Sequence, residues 1–132
     1  MTDYKQLNAL ALAYVGDAIY ETYVRDYLVR KGQTRPNKLH HMATHYVSAK
    51  AQATLIQKML DDGMLTEEEQ GIYRRGRNAK SYTSAKNTSI MTYRMSTGFE
   101  ALMGYLHLLE QKERLEELIG WCLEKAGEAN EG

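Results

Sequence analysis

The chain has 132 residues, with seventeen Lys and Arg against seventeen Asp and Glu, four His, one Pro and one Cys. That length fits one domain and leaves no room for a second sizeable one, while 43% hydrophobic residues supply a real core and exclude intrinsic disorder. Cys122 alone cannot close an internal disulfide, no apolar run approaches the ~20 residues of a membrane span, and MTDYKQ lacks a signal peptide's basic start, so a soluble cytoplasmic domain is expected.

Few breakers and an abundance of Leu, Ala, Met, Glu and Lys favour helix, and no segment alternates cleanly enough for a strand. The expected architecture is all-α, a compact bundle of six or seven helices over residues 1–132. The first helix runs from about Leu7 to about Lys31 and is apolar nearly all round between Leu7 and Ile19, the pattern of a central, buried helix. Gly32 stops it, Thr34-Arg-Pro-Asn37 forms a turn, and Asn37 is the expected N-cap of a second helix through His40, His41 and His45. A third helix spans about Ser48 to Asp61 and ends at Asp62-Gly63. Thr66-Glu-Glu-Glu69 has capping-box spacing and opens a fourth, to about Arg75. Residues 76–96 are less regular. Two helices close the chain, at about Thr97–Leu109 and Lys112–Lys125.

Two acids sit among apolar neighbours. Asp17 lies in Ala13-Tyr-Val-Gly-Asp-Ala-Ile-Tyr20, where burial of an ionised carboxylate costs several kcal/mol unless it is paired or binds a metal. Glu21, one turn on, is placed to join it or to pair with Arg25, and the ion pair is preferred. Glu100, in Gly98-Phe-Glu-Ala-Leu-Met-Gly104, is the only acid between Glu69 and Glu110. Its plain explanation is a capping box with Thr97. Taken together, two apolar-set carboxylates on two packed core helices are expected to form an oxygen-ligand site for Mg²⁺, with the small residues Ala101 and Gly104 permitting close packing.

A third feature is a run of one charge. Residues 70–99 carry Arg74, Arg75, Arg77, Lys80, Lys86 and Arg94 and no acid, whereas Asp61–Glu69 and the tail after Glu110 are acid-rich. The overall neutrality therefore conceals a basic stretch in which Arg74, Arg75, Arg77, Asn78, Lys80, Ser81 and Lys86 are suited to phosphates of a nucleic acid. Neither a Gly-rich phosphate loop nor a serine-nucleophile motif occurs, His41 and His45 lack the further ligands of a zinc site, and Cys122 reads as packing.

Tyr14-Val-Gly-Asp-Ala-Ile and Phe99-Glu-Ala-Leu-Met-Gly resemble the two acid-bearing helices of the ribonuclease III catalytic domain, over essentially the whole chain. Arg75-Gly-Arg-Asn-Ala-Lys-Ser81 and Leu7-Asn-Ala-Leu-Ala-Leu-Ala-Tyr14 are similar to segments of the short bacterial Mini-III branch, in which no double-stranded-RNA-binding domain follows. The resemblance implies a homodimeric, Mg²⁺-dependent endoribonuclease for double-stranded RNA, with Asp17 and Glu100 as catalytic and metal-binding residues. It also implies maturation of large-subunit (23S) ribosomal RNA precursor, with a ribosomal protein as a candidate partner. Where the long forms carry two further acids, this chain has Ala13 and Thr97, so water and RNA phosphate would complete the metal shell. The competing expectation is a non-catalytic module that binds structured RNA through the basic stretch.

Overall fold

The structure is a computed structural model that describes residues 3–80 and 88–131. After a 3₁₀ turn (Tyr4–Gln6) come six helices: α1 (Ala9–Arg30), α2 (Pro36–Val47), α3 (Ala49–Asp61), α4 (Glu67–Asn78), α5 (Ile90–Leu108) and α6 (Lys112–Glu131). The described residues contain no strand, as the all-α expectation required.

Local chemistry sets most boundaries. Asn8 Oδ1 accepts from the amide of Ala11 at 2.8 Å and starts α1. Gly32, at φ 101°, ends it in the left-handed region, where the Gln33 amide reaches back to the Leu28 carbonyl. Pro36, not Asn37, opens α2: its fixed φ suits the first helical position, and no side chain caps that end. Ser48 both closes α2 and caps α3, taking the Ala51 amide on its hydroxyl at 3.1 Å. The Thr66–Glu69 capping box forms as the spacing predicts, and α4 continues to Asn78.

The largest departure is at α5. It begins at Ile90, capped by Ser89, seven residues ahead of the expected start, so Thr97 and Glu100 lie inside the helix and form no capping box. The Thr97 hydroxyl instead donates to the Tyr93 carbonyl one turn back, at 3.1 Å. A four-residue capping pattern carries no information on whether a better cap stands one or two turns upstream. α5 ends without glycine: Glu110 takes φ 59°, and the Gln111 amide returns to the Leu106 carbonyl at 2.9 Å.

The central helix is α5, not α1. From Ser96 to Leu106 only Glu100 escapes full burial, and α1, α3, α4 and α6 all pack on this helix. α1 buries Leu12, Ala13, Gly16, Tyr20, Val24 and Leu28 but leaves Leu10 and Tyr14 exposed, the latter 81%. Its all-round apolarity thus covers one face in the core and one facing out. The Arg114 guanidinium grips the buried Glu69 carboxylate with two bonds of 2.8 Å and the Met64 carbonyl at 2.7 Å, tying α6 to the start of α4. Cys122 is fully buried, as a packing residue should be, and burial pushes its thiol well up.

Candidate active site

α1 and α5 touch backbone to backbone. A Cβ on Gly16 would fall 1.7 Å from the carbonyl oxygen of Glu100, and one on Gly104 would fall 1.9 Å from that of Leu12. Only hydrogen fits at both positions. The crossing therefore lies one residue before Asp17 and within one turn of Glu100, and it brings the two carboxyl groups into direct hydrogen-bond contact.

The two acids are not equivalent. Asp17 is exposed at the surface of α1, contrary to the burial its apolar neighbours implied, because it stands on the outward face with Tyr14. Glu100 sits beneath it, half-buried. Burial, then the hydrogen bond to Asp17 and the charge of Asp17, pushes the Glu100 carboxyl up to about 8. At neutral pH it keeps its proton and donates to Asp17. Two carboxyls sharing one proton form an anionic oxygen pair whose proton a divalent cation can replace. That donor set, oxygen only and open to solvent on the Asp17 side, fits a hard divalent ion. Among the described residues no group of three or more His, Cys, Asp and Glu side chains is placed to hold a metal.

A further buried polar side chain, which the sequence pattern alone does not single out, bears on Glu100 electrostatically. Gln52 of α3 is 2% exposed, donates to the Val47 carbonyl at 3.3 Å, and opposes the upward push on the Glu100 carboxyl. Its signal was positional. Gln52 falls on the same stripe as Leu55, Ile56 and Met59, a polar residue on the buried face of an amphipathic helix.

The basic stretch approaches from α4. A Cβ on Gly76 would meet the Ala101 Cβ and the Gly98 Cα at 2.8 Å, so the basic end of α4 crosses α5 in the turn that carries Glu100. Arg74, Asn78 and Lys80 are exposed there. Arg77 lies 5.7 Å from the centre of the Tyr73 ring, and its Nε donates to Asn78 at 3.2 Å. Arg75 differs from its neighbours. Its guanidinium donates to the carbonyls of Lys5, at 2.9 Å, and Leu7, pinning the segment that leads into α1. Ser81 and Lys86 lie outside the described residues. Glu21 pairs with Arg25 at 3.2 Å, the preferred expectation, and stays apart from the acid pair. His41 and His45 stack edge-on at 5.2 Å on exposed helix.

Residues 10–111 match the model of the ribonuclease III domain, a span that includes both acids and the basic stretch. The chain belongs to the ribonuclease III family. It is 73% identical to a Mini-ribonuclease 3 of Enterococcus faecalis over 99% of both chains. A Mini-ribonuclease 3 of Streptococcus pneumoniae is 59% identical, covering 95% of this chain and 98% of that one. The crystal structure of a Fusobacterium nucleatum protein superposes with a TM-score of 0.81 at 30% identity, over 95% and 98% of the two chains. The place of the present chain is thus in the Mini-ribonuclease 3 branch, and it is a ribonuclease III-type endonuclease. Ala13 is buried in this fold, and the buried Thr97 hydroxyl is engaged with the Tyr93 carbonyl. No helix among the described residues is long and apolar enough to cross a membrane.

Proposed function

We propose that this ribonuclease III-type enzyme cleaves double-stranded RNA with Mg²⁺ held between Asp17 and Glu100, as a homodimer acting in the cytoplasm on the ends of large-subunit ribosomal RNA precursor. The observation that carries the proposal is the shared hydrogen bond of those two carboxyls, set beside a basic, acid-free segment. When bound, Mg²⁺ supplies Lewis acidity that assists in-line attack of water on the scissile phosphodiester and offsets charge on the departing 3′-oxygen.

The chain's own groups do the rest. Glu100 would release its proton to solvent as the cation loads, and Asp17 faces it from the solvent side, so the pair would hold the cation between anionic oxygens where a phosphate arrives. Arg74, Arg77, Asn78 and Lys80 hold phosphates and 2′-hydroxyls of the A-form duplex, whose deep major groove is poorly readable. Ser81 and Lys86 extend that set along the chain. Arg75 works one step back, fixing the entry into α1 and with it the helix that carries Asp17.

Support for the dimer comes from exposed apolar side chains on the faces that flank the acids: Leu10 and Tyr14 on α1, Ile90 and Met91 on α5. A two-fold arrangement sets two acid pairs along one duplex, one for each strand. The ribosomal RNA substrate and a ribosomal protein partner rest on the resemblance to the Mini-III branch. Incubation with long duplex RNA and with precursor ribosomal RNA, in Mg²⁺ and then in chelator, tests the whole reading. Short 3′-overhangs that appear only with Mg²⁺ are expected; metal-independent or single-strand cutting overturns it.

A further inference from the structure

A cavity of about 540 Å³ opens where the α2–α3 corner meets α6, within the size range of small-molecule sites. Lys50, Thr54 and Lys58 line it from α3 at a spacing of i, i+4 and i+8, which sets them on one stripe about 12 Å long. All three are exposed, on the side of α3 turned away from the buried Gln52, Ile56 and Met59. Lys125 lines the same cavity from α6, and no carboxylate does. In a chain with as many acids as bases, the charge is sorted here as it is over residues 70–99. Among the described residues neither Lys50 nor Lys58 forms an ion pair. Asp61, one turn beyond Lys58, accepts from Gln57 at 2.9 Å. Lys125 meets Glu128 at 3.7 Å, a solvent-exposed pair that costs little to give up.

Between the cations the lining is apolar: Leu55, at 4% exposure, with Ala51 and Ala126. Ser48 adds a donor. Its hydroxyl oxygen accepts from the Ala51 amide at 3.1 Å, which leaves its own O–H to point at a ligand. Lysines and hydroxyls around an apolar patch, with no acid, complement a molecule that has a polyanionic end and a flat, weakly polar body. We propose that this cavity binds a nucleoside diphosphate or triphosphate, with Lys50, Lys58 and Lys125 on the phosphates and the nucleoside against Leu55. A stripe about 12 Å long exceeds the reach of one phosphate and suits a chain of two or three. Lysine ammoniums are flexible point charges that serve such a chain without demanding one geometry. The concave shape favours a single nucleotide over an RNA duplex, which is a rod too wide to enter a space of this volume. The site uses neither Asp17 nor Glu100, so it stands or falls apart from the proposed cleavage reaction.

Isothermal titration of the full chain with ADP tests the assignment, at physiological salt and with chelator present so that no metal bridges the nucleotide to the acid pair. One ADP per chain should bind, with Kd below about 1 mM, and pyrophosphate should bind more weakly because it lacks the body that lies on Leu55. Lys50→Ala combined with Lys58→Ala should weaken ADP at least about 10-fold, the worth of a single hydrogen bond to a charged group. Both side chains are exposed and outside any ion pair, so the melting temperature should stay at the parental value. Gel shifts with duplex RNA on the same variant should match the parent. Absence of saturable ADP binding overturns the proposal, as does parental ADP affinity in the double variant. Equal affinity for pyrophosphate and ADP removes the nucleoside from the site and overturns it too. Loss of duplex affinity in the double variant makes these lysines part of an RNA-binding face and overturns the nucleotide assignment.

Discussion

Gly16 and Gly104 face each other across the crossing of α1 and α5, each so close to the other helix that a Cβ would lie within 2 Å of a backbone carbonyl oxygen. The site depends on this close approach, because Asp17 follows Gly16 directly and Glu100 precedes Gly104 by one turn. The proposed metal site is therefore a product of helix packing rather than of a flexible loop.

Gly16→Ala should separate the helices and cost at least about 2 kcal/mol of stability, since the obstructing atoms are backbone and cannot rotate away. Activity should fall further than the unfolded fraction explains, as Asp17 moves off Glu100. Gly120→Ala is the matched control: Gly120 is exposed on α6 with nothing within 4 Å of its Cβ position, and the variant should be neutral or stabilise by up to about 1 kcal/mol. Urea unfolding of both variants separates the two effects.

Asp17→Asn should abolish metal-dependent cleavage while leaving duplex binding within a few-fold of the parent. Asp17 is exposed and pairs with no described base, so the fold is little affected. Cleavage assays and gel shifts on one preparation decide the matter; parental cleavage by this variant would remove Asp17 from the mechanism.

The Glu100 proton gives a pH prediction with a definite sign. In the unfolded chain a Glu loses its proton near pH 4.3, approximately, whereas in the fold burial and Asp17 hold it to about 8. The folded chain thus binds more protons across that window. Metal-free stability is fully present below the lower value and is lost as pH rises through about 8. Mg²⁺ should reverse the decline by replacing the proton, and its binding near neutral pH should release one. Melting temperatures across pH 5–9, with chelator and with Mg²⁺, measure both, and Glu100→Gln should flatten the chelator curve.

Much of this site was legible because it breaks local rules. Glu100 amid Phe99, Leu102 and Met103 is a costly placement that packing alone does not explain, whereas Asp17 stood out by its apolar neighbours Tyr14, Val15, Ala18 and Ile19 and yet lies exposed. The small residues that bring them together were readable beside Glu100, at Ala101 and Gly104, but their counterpart Gly16 gained its meaning only from the crossing. What misled was information shared by two states. Thr97-Gly-Phe-Glu100 has the same spacing at a helix start and in a helix interior, and only Ser89, eight residues upstream, decides between them. The apolarity of α1 likewise fits a central helix and a helix with one face left for a partner.

Arg75 and its neighbours should separate by experiment. All belong to one basic stretch, but the Arg75 guanidinium is engaged with the Lys5 and Leu7 carbonyls, while Arg74 is exposed and Arg77 rests over Tyr73. Arg75→Ala should therefore act on the fold, freeing two carbonyls and the approach to α1, and lower stability by about 1–3 kcal/mol. Its effect on RNA affinity should vanish once the folded fraction is accounted for. Arg74→Ala with Arg77→Ala should do the reverse. Duplex affinity should fall at every salt concentration, and the slope of log K against log salt should shrink by roughly 2, about one unit for each phosphate no longer neutralised. Calorimetric binding at several salt concentrations, beside urea unfolding of the same variants, reads both outcomes. An unchanged salt slope in the Arg74/Arg77 variant would place the duplex on another face of the molecule.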